Sequence, residues 1–213
     1  GKGFECPVTV MGGGKDNTLP SVRKAFYEYI ESISVPAPLR FQYNSWYDYM
    51  KDITEQNIMT SFTEVHKQLT HYGAPELAAY VVDDGWPDVK AGFWSFNKKF
   101  PNKLTNVTAL CKEMGSKFGL WLGPRGGYTR PDKIAKRYQR AGNGYLNKEA
   151  RDICVASTKY IEKLGDFLVE TTNEFDIDYW KLDGFCLKPC LNEKHDHMVG
   201  GYEDMYFATD MWQ

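Results

Sequence analysis

The chain has 213 residues, of which 42% are hydrophobic and 25% are charged, and its formal net charge at pH 7 is −2. This balance is typical of a soluble globular protein with one large or two small domains, and it lacks the basic block expected of a partner for nucleic acid or an anionic membrane. No apolar run approaches the roughly 20 residues of a membrane span, so we expect no nucleic acid and no membrane as partner. The first ten residues, GKGFECPVTV, lack both an initiator methionine and the apolar segment of a signal peptide, which indicates a processed or trimmed N-terminus.

Strands and helices are predicted to alternate after an N-terminal segment, residues 1–38, that contains a helix at 20–33 with Pro20 in its first turn. In the remainder, residues 39–213, the strands are predicted at 39–46, 77–86, 117–124 and 177–185. The helices between and after them are predicted at 54–73, 105–116, mostly over 147–173, and from 200 to 213. Thr54 is placed to cap the first of these, and Gly73 to end it.

Four successive β-then-α units predict an α/β fold with a parallel sheet and right-handed crossovers. Either a doubly wound sheet or a (β/α)8 TIM barrel would fit that order. Polar residues follow every predicted strand, as they do at the active-site rim of a barrel, and no G-x-G-x-x-G motif follows the first strand. We therefore expect residues 39–213 to form about the first four β/α units of a barrel. Half a barrel has two open edges, so the remainder is expected from a longer protein or a partner.

Charged side chains stand at the ends of the second and fourth strands. Asp83 and Asp84 precede Gly85 and Trp86, and this DDGW sequence fits either an ordinary turn or a site that binds several hydroxyl groups. Lys181 and Asp183 lie two residues apart in DYWKLDGF, so on a strand they share one face. They form either a structural ion pair or a nucleophilic carboxylate kept ionised by its neighbouring cation.

Tryptophans also gather at the strand ends, at Trp46, Trp86 and Trp121. They are either core residues or pocket walls, because sugars pack their C–H faces on aromatic rings while their hydroxyls need fixed polar partners. Carboxylates and indoles around one rim are the composition of a sugar pocket.

Cysteines and histidines give no metal signature in the sequence. Five scattered cysteines are not a disulfide framework, and Cys186 and Cys190 are close enough for either a local bridge or two thiols. His195 and His197 lie in a polar loop with no further ligand at a diagnostic spacing, so a solvated loop is the favoured interpretation and no metal is expected.

The segments YVVDDGW, FWSFNKKFPNKL, SKFGLWLGP and DYWKLDGF together resemble the successive strand-end motifs of melibiase-type glycoside hydrolases, families 27 and 36. These enzymes are α-galactosidases and α-N-acetylgalactosaminidases, and the likeness runs from about Phe41 to the end. The resemblance implies a retaining mechanism in a (β/α)8 barrel, with no metal or organic cofactor. The implied partner is an α-galactoside oligosaccharide or glycoconjugate. A secreted or periplasmic location is favoured over a cytoplasmic one.

The resemblance also implies roles for individual residues. Asp183 corresponds to the nucleophile, and the acid/base aspartate is implied after a sixth strand, which these four strands do not include. The substrate-binding residues implied by the resemblance are Asp83 and Asp84 for O4 and O6 of galactose, Lys181 for sugar hydroxyls, and Trp46 and Trp121 for the pocket wall. We add Trp86, and also Arg125, whose stretch GPRGGYTRP replaces a glutamate-containing stretch of family 36 and could meet an anionic or extended substrate.

The identity of the sugar stays open between galactose, N-acetylgalactosamine and a related sugar, since Phe185 stands where family 27 often has a cysteine. Two alternative functions remain beside the hydrolase. One is a transglycosylase similar to the raffinose-type synthases, and the other is a non-catalytic carbohydrate-binding barrel.

Overall fold

A computed structural model describes residues 8–128, 130–184 and 190–197 of the chain. The chain divides into two compact units, Gly1–Leu39 and Arg40–Gln213. The first unit contains helix α1 (Leu19–Ile33), which has Pro20 in its first turn as predicted. Within the described ranges, no helix combines the length and the apolar character that crossing a membrane requires.

In the residues that the structure describes, the second unit is built on a four-stranded parallel sheet, which confirms the predicted α/β class. Its strands lie side by side in the order β1 (Gln42–Asn44), β2 (Ala79–Val82), β3 (Lys117–Leu122) and β6 (Tyr179–Leu182). All of β2 and the last five residues of β3 are buried, as expected for central strands covered on both faces. The register pairs the last residue of β3 with the last residue of β6, so the polar residues that follow these strands start at one edge of the sheet.

The described part of this unit contains five helices: α2 (Trp46–Tyr49), α3 (Glu55–His71), α4 (Thr105–Glu113), α5 (Pro131–Arg140) and α6 (Thr158–Phe175). Helix α3 begins where predicted because Thr54 and Asn57 form a capping box. The Thr54 hydroxyl accepts from the Asn57 N–H at 3.1 Å, and the Asn57 side chain accepts from the Thr54 N–H at 2.7 Å. Short α2 begins at Trp46, so the first strand ends sooner than predicted.

The hydrophobic core lies between the sheet and these helices, and Trp86 belongs to it. The Trp86 side chain has no exposed surface, and its ring centroid is 4.8 Å from that of Phe96. Its indole N–H donates to the backbone oxygen of Trp121 at 2.8 Å, which satisfies its polar atom inside the core. The structure therefore corrects the predicted position of Trp86 at the rim of a sugar pocket.

A hairpin replaces the start of the helix predicted over 147–173. Strands β4 (Leu146–Asn147) and β5 (Asp152–Ile153) pair antiparallel, and only α6 is helical. The Asn147 side chain accepts from the N–H groups of Glu149 and Ala150, both at 3.1 Å, and Arg151 has a φ of 58°. These local hydrogen bonds and a left-handed residue favour a turn over a helix.

Helix α5 was not predicted, because its sequence PDKIAKRYQR is mostly polar. Its buried residues are Ile134, Ala135 and Tyr138, which form a narrow apolar stripe at helical spacing. The predicted helix at 200–213 lies outside the described residues, and so do Cys186 and its possible bridge to Cys190.

Candidate functional site

The candidate site lies at the carboxyl ends of the parallel strands. Asp83 directly follows β2, and its N–H donates to the Ser45 hydroxyl at 2.9 Å. Asp183 directly follows β6, and its N–H donates to the Leu122 oxygen at 3.0 Å, which extends the ladder by one bond. Because parallel strands end at a common edge, residues that are 100 positions apart in the sequence (183 − 83) lie beside one another.

Asp83 organises the centre of the site. It is 2% exposed, and its Oδ2 accepts from Lys181 Nζ at 2.7 Å and from Asn44 Nδ2 at 2.8 Å. Its Oδ1 accepts from the Asp84 N–H at 2.8 Å. A carboxylate offers about four acceptor positions, so three of those of Asp83 are used within the protein. The main effect of Asp83 is therefore to hold Lys181 and the chain at Asp84 in place.

Asp84 is the more available carboxylate of the adjacent pair. It is 8% exposed, and Lys51 Nζ lies 3.4 Å from its Oδ2. Burial raises the pKa of Asp84, and the Lys51 charge and the Gly85 N–H oppose that effect only in part. A buried carboxyl whose burial is only partly offset in this way gains from any ligand that donates hydrogen bonds to it.

Asp183 is held by two side-chain donors. Tyr128 Oη donates to Asp183 Oδ1 at 2.7 Å, and Trp121 Nε1 donates to Oδ2 at 3.1 Å. Partial burial by itself would raise the pKa of Asp183. Together, these two hydrogen bonds, the Lys181 charge and the Gly184 N–H outweigh it and hold the pKa of Asp183 below its ordinary value. The carboxylate is thus ionised at neutral pH, which is the state that a nucleophile needs.

These side chains surround one cavity of about 350 Å³. That volume is at the lower end of the range for small-molecule sites and suits a single sugar ring. The residues that line it are Trp46, Asp83, Asp84, Trp121, Tyr128, Lys181 and Asp183. A second cavity, of about 220 Å³, shares Asp84, Trp121 and Tyr128 with the first, so the two adjoin.

Six of the eight predicted site residues therefore line one cavity, and two do not. Trp86 lies in the core, as described above. Arg125 forms an ion pair with Asp152, with Nε 2.9 Å from Oδ2, and Asp152 is only 1% exposed. A carboxylate that is so deeply buried needs a counter-charge, so Arg125 neutralises Asp152 instead of facing the substrate cavity. The predicted contact between Arg125 and an anionic substrate is corrected accordingly.

Tyr128 and Lys51 are site residues that the sequence analysis missed. Tyr128 reaches Asp183 because the chain after β3 turns back sharply at Gly126 and Gly127, which have φ values of 99° and 77°. A cluster of glycines beside a tyrosine after a strand was a usable signal for such a turn. Lys51 follows a short helix in an irregular segment, and the sequence around it gives no comparable signal.

No family model and no curated protein matches this sequence. Solved structures of α-galactosidases match its fold. The α-galactosidase from Lactobacillus brevis has a TM-score of 0.55 and 17% identity, over 82% of this chain and 24% of that one. The Thermus thermophilus α-galactosidase TtGalA in complex with stachyose has a TM-score of 0.57 and 20% identity, over 88% and 41%. The GH36 α-galactosidase AgaA from Geobacillus stearothermophilus has a TM-score of 0.54 and 19% identity, over 81% and 26%.

These matches establish a shared α/β fold with part of family 36 α-galactosidases. This agrees with the sequence resemblance to family 36, one of the two families named above. At such low identity they carry no residue roles. The chain spans only about a quarter to two fifths of the length of these structures. Activity and substrate consequently rest on the chemistry of the cavity.

Proposed function

We propose that this chain carries the part of the active site that binds the sugar to be released, in a retaining, α-galactosidase-like glycoside hydrolase. In this proposal residues 39–213 are the first four β/α units of a (β/α)8 barrel. The observation that carries the proposal is the Asp183 carboxylate, which faces the same cavity as Asp84, Lys181 and two indoles. The fold shared with α-galactosidases supports it independently of the cavity.

The cavity suits the two surfaces of a pyranose. The indole rings of Trp46 and Trp121 offer flat apolar walls for C–H groups. Asp84 accepts hydrogen bonds from hydroxyls. Lys181 donates hydrogen bonds to hydroxyls through the N–H groups that do not bond to Asp83. The Asp84 carboxylate, the one acceptor position that Asp83 retains and the Lys181 ammonium favour a sugar with neighbouring hydroxyls, such as the O4 and O6 of galactose.

The proposed reaction is a double displacement in which Asp183 is the nucleophile. A carboxylate oxygen of Asp183 forms a bond to the anomeric carbon while the bond from that carbon to the leaving oxygen breaks. A second carboxyl, about 5–5.5 Å from the first, protonates the leaving oxygen and later removes a proton from the attacking water. In this proposal, which follows the resemblance, the second carboxyl comes after a sixth barrel strand of the complete enzyme.

Substitution of Asp183 by Asn tests this assignment in the protein that carries the sequence. The variant keeps the size of the side chain and one of its two acceptor oxygens but removes its nucleophilic charge. We expect turnover of an aryl α-galactoside to fall by a factor on the order of 10⁴ or more, with galactose binding largely retained.

Asp178→Asn is a matched control for this substitution. Asp178 lies just before the same strand, where it pairs with Lys117 at 2.6 Å, away from the cavity. This control should keep near-normal turnover. Near-normal turnover in Asp183→Asn would contradict the proposed role. Measuring product with sucrose present as an acceptor separates hydrolysis from transglycosylation.

A further inference from the structure

A compact group of two thiols and two imidazoles lies outside the sugar cavity. It consists of Cys154, Cys190, His195 and His197, and one ligand atom from each residue lies within 4.8 Å of the other three. Cys154 Sγ is 3.0 Å from His197 Nε2, and Cys190 Sγ is 3.2 Å from His195 Nδ1. The two cysteines are 0% and 2% exposed, and both histidines are partly buried.

The fold builds this group from two separate segments. Cys154 directly follows β5, and its N–H donates to the Tyr145 oxygen at 2.8 Å, so the hairpin fixes its position. Cys190 and both histidines come from the segment that follows β6. The Tyr145 ring stacks on His195 with centroids 4.5 Å apart and an interplanar angle of 18°, which orients that imidazole.

Asp196, between the two histidines, fastens their loop to the start of α6. Its carboxylate accepts from the Ser157 hydroxyl at 2.6 Å and from the Lys159 N–H at 3.0 Å. Its backbone oxygen accepts from the Thr158 hydroxyl at 2.8 Å. Because these hydrogen bonds fix Asp196 at the start of α6, its neighbours His195 and His197 are held close to the thiols.

We propose that Cys154, Cys190, His195 and His197 bind one Zn²⁺ ion in a closed structural site. Zinc takes four cysteine and histidine ligands tetrahedrally, with bonds of about 2.3 Å to sulfur and about 2.0–2.1 Å to nitrogen. Ideal geometry therefore places the ligand atoms about 3.3–3.8 Å from one another. Two observed separations, 3.0 and 3.2 Å, are just below that range and none exceeds 4.8 Å, so shifts of about 1 Å or less would produce the tetrahedron.

The charges and ligand chemistry also favour zinc. Two thiolates and two neutral imidazoles balance the charge of Zn²⁺, which makes burial of the thiolates acceptable. Calcium and magnesium prefer oxygen ligands, which this group does not offer. For His195 and His197, we therefore propose zinc ligands in place of the solvated loop that the sequence favoured. The fourth ligand, Cys154, lies far away in the sequence and comes close only through the fold.

The proposed ion has a structural consequence for the sugar site. It joins the segment after β6, which begins with Asp183 and Gly184, to the hairpin that contains β5. Its ligand Cys190 comes only seven positions after the proposed nucleophile in the sequence, although no zinc ligand lines the sugar cavity.

Zinc content of the full chain, purified without chelators, tests the site directly. We expect about one zinc per chain by inductively coupled plasma mass spectrometry, and at least a tenfold lower content in Cys154→Ser and in His197→Asn. Matched controls are Cys111→Ser, which removes a buried thiol on α4, and His71→Asn, which removes an exposed histidine on α3. Both controls should keep the zinc of the wild-type chain.

A cobalt titration of the metal-free wild-type chain keeps the proposal testable if a ligand variant does not fold. Tetrahedral Co²⁺ bound by two thiolates should give intense visible d–d bands and a thiolate-to-cobalt charge-transfer band, and one equivalent of Zn²⁺ should abolish both. A folded wild-type chain without zinc and without these bands would overturn the proposal. So would a Cys154–Cys190 disulfide in the native chain, or unchanged zinc in both ligand variants.

Discussion

The ion pair between Lys181 and Asp83 should contribute far more to stability than a surface pair of the same length. Both pairs join a lysine to an aspartate. Lys181 Nζ is 2.7 Å from Asp83 Oδ2, and their side chains are 32% and 2% exposed. Lys117 Nζ is 2.6 Å from Asp178 Oδ1, with side chains that are 70% and 30% exposed. The two pairs therefore differ mainly in burial, which makes the second a matched control for the first.

The burial of Asp83 sets the expected magnitude. Breaking a fully buried pair costs about 3–5 kcal/mol. The cost should be lower here because Lys181 is one third exposed and Asp83 keeps its hydrogen bonds from Asn44 and from the Asp84 N–H. We expect a coupling free energy of about 2 kcal/mol for this pair. The exposed pair should give less than about 1 kcal/mol.

Urea unfolding followed by tryptophan fluorescence measures both couplings. All six tryptophans lie after residue 40, so the signal reports on the unit that contains the sheet. Lys181→Met, Asp83→Asn and the double variant form one double-mutant cycle. Lys117→Met and Asp178→Asn, with their double variant, form the other. Equal couplings for the two pairs, or a coupling below about 0.5 kcal/mol for the buried one, would refute this reasoning.

Two further predictions concern the hydroxyl of Tyr128 and the turn at Gly85. Tyr128→Phe removes a donor that lowers the pKa of Asp183. The carboxyl titration of Asp183, followed by ¹³C NMR, should therefore shift to higher pH, and an unchanged or lower midpoint would contradict this. Gly85 has a φ of 126°, and an added Cβ would lie 2.6 Å from the Lys51 oxygen, so Gly85→Ala should lower the free energy of unfolding by about 1–3 kcal/mol or more. Gly165 lies in open space on α6, so Gly165→Ala should raise the free energy of unfolding by about 0.4–1 kcal/mol in the same urea assay. Equal effects of the two substitutions would argue against the predicted clash at Gly85.

The sequence predicted the elements whose pattern is local and strong. Strands β2 and β3 are mostly apolar, and α3 carries both an apolar stripe and a capping residue, Thr54. The parallel order then placed Asp83, Lys181 and Asp183 at one edge, because strand ends meet there in any parallel sheet. The meeting of these residues was thus predictable without coordinates.

The remaining features depend on contacts between distant segments. Nothing near Trp86 in the sequence distinguishes a core indole from a pocket wall, since both follow a strand. Arg125 faces Asp152 only because a hairpin forms where a helix was predicted, and that hairpin depends on Asn147 and a left-handed Arg151. The same hairpin brings Cys154 to the histidines. Long-range pairing of this kind leaves no periodic signal in the sequence.

The most direct test of the proposed function is to trap the covalent intermediate. The protein that carries this sequence would be treated with 5-fluoro-α-galactosyl fluoride, whose good leaving group needs little help from an acid, and then digested and analysed by tandem mass spectrometry. The proposed mechanism predicts one fluorogalactosyl group, attached by an ester to Asp183. A label on Asp84 or on any other residue would contradict the assignment of Asp183. A chain that binds galactose but never becomes labelled would contradict the retaining mechanism itself.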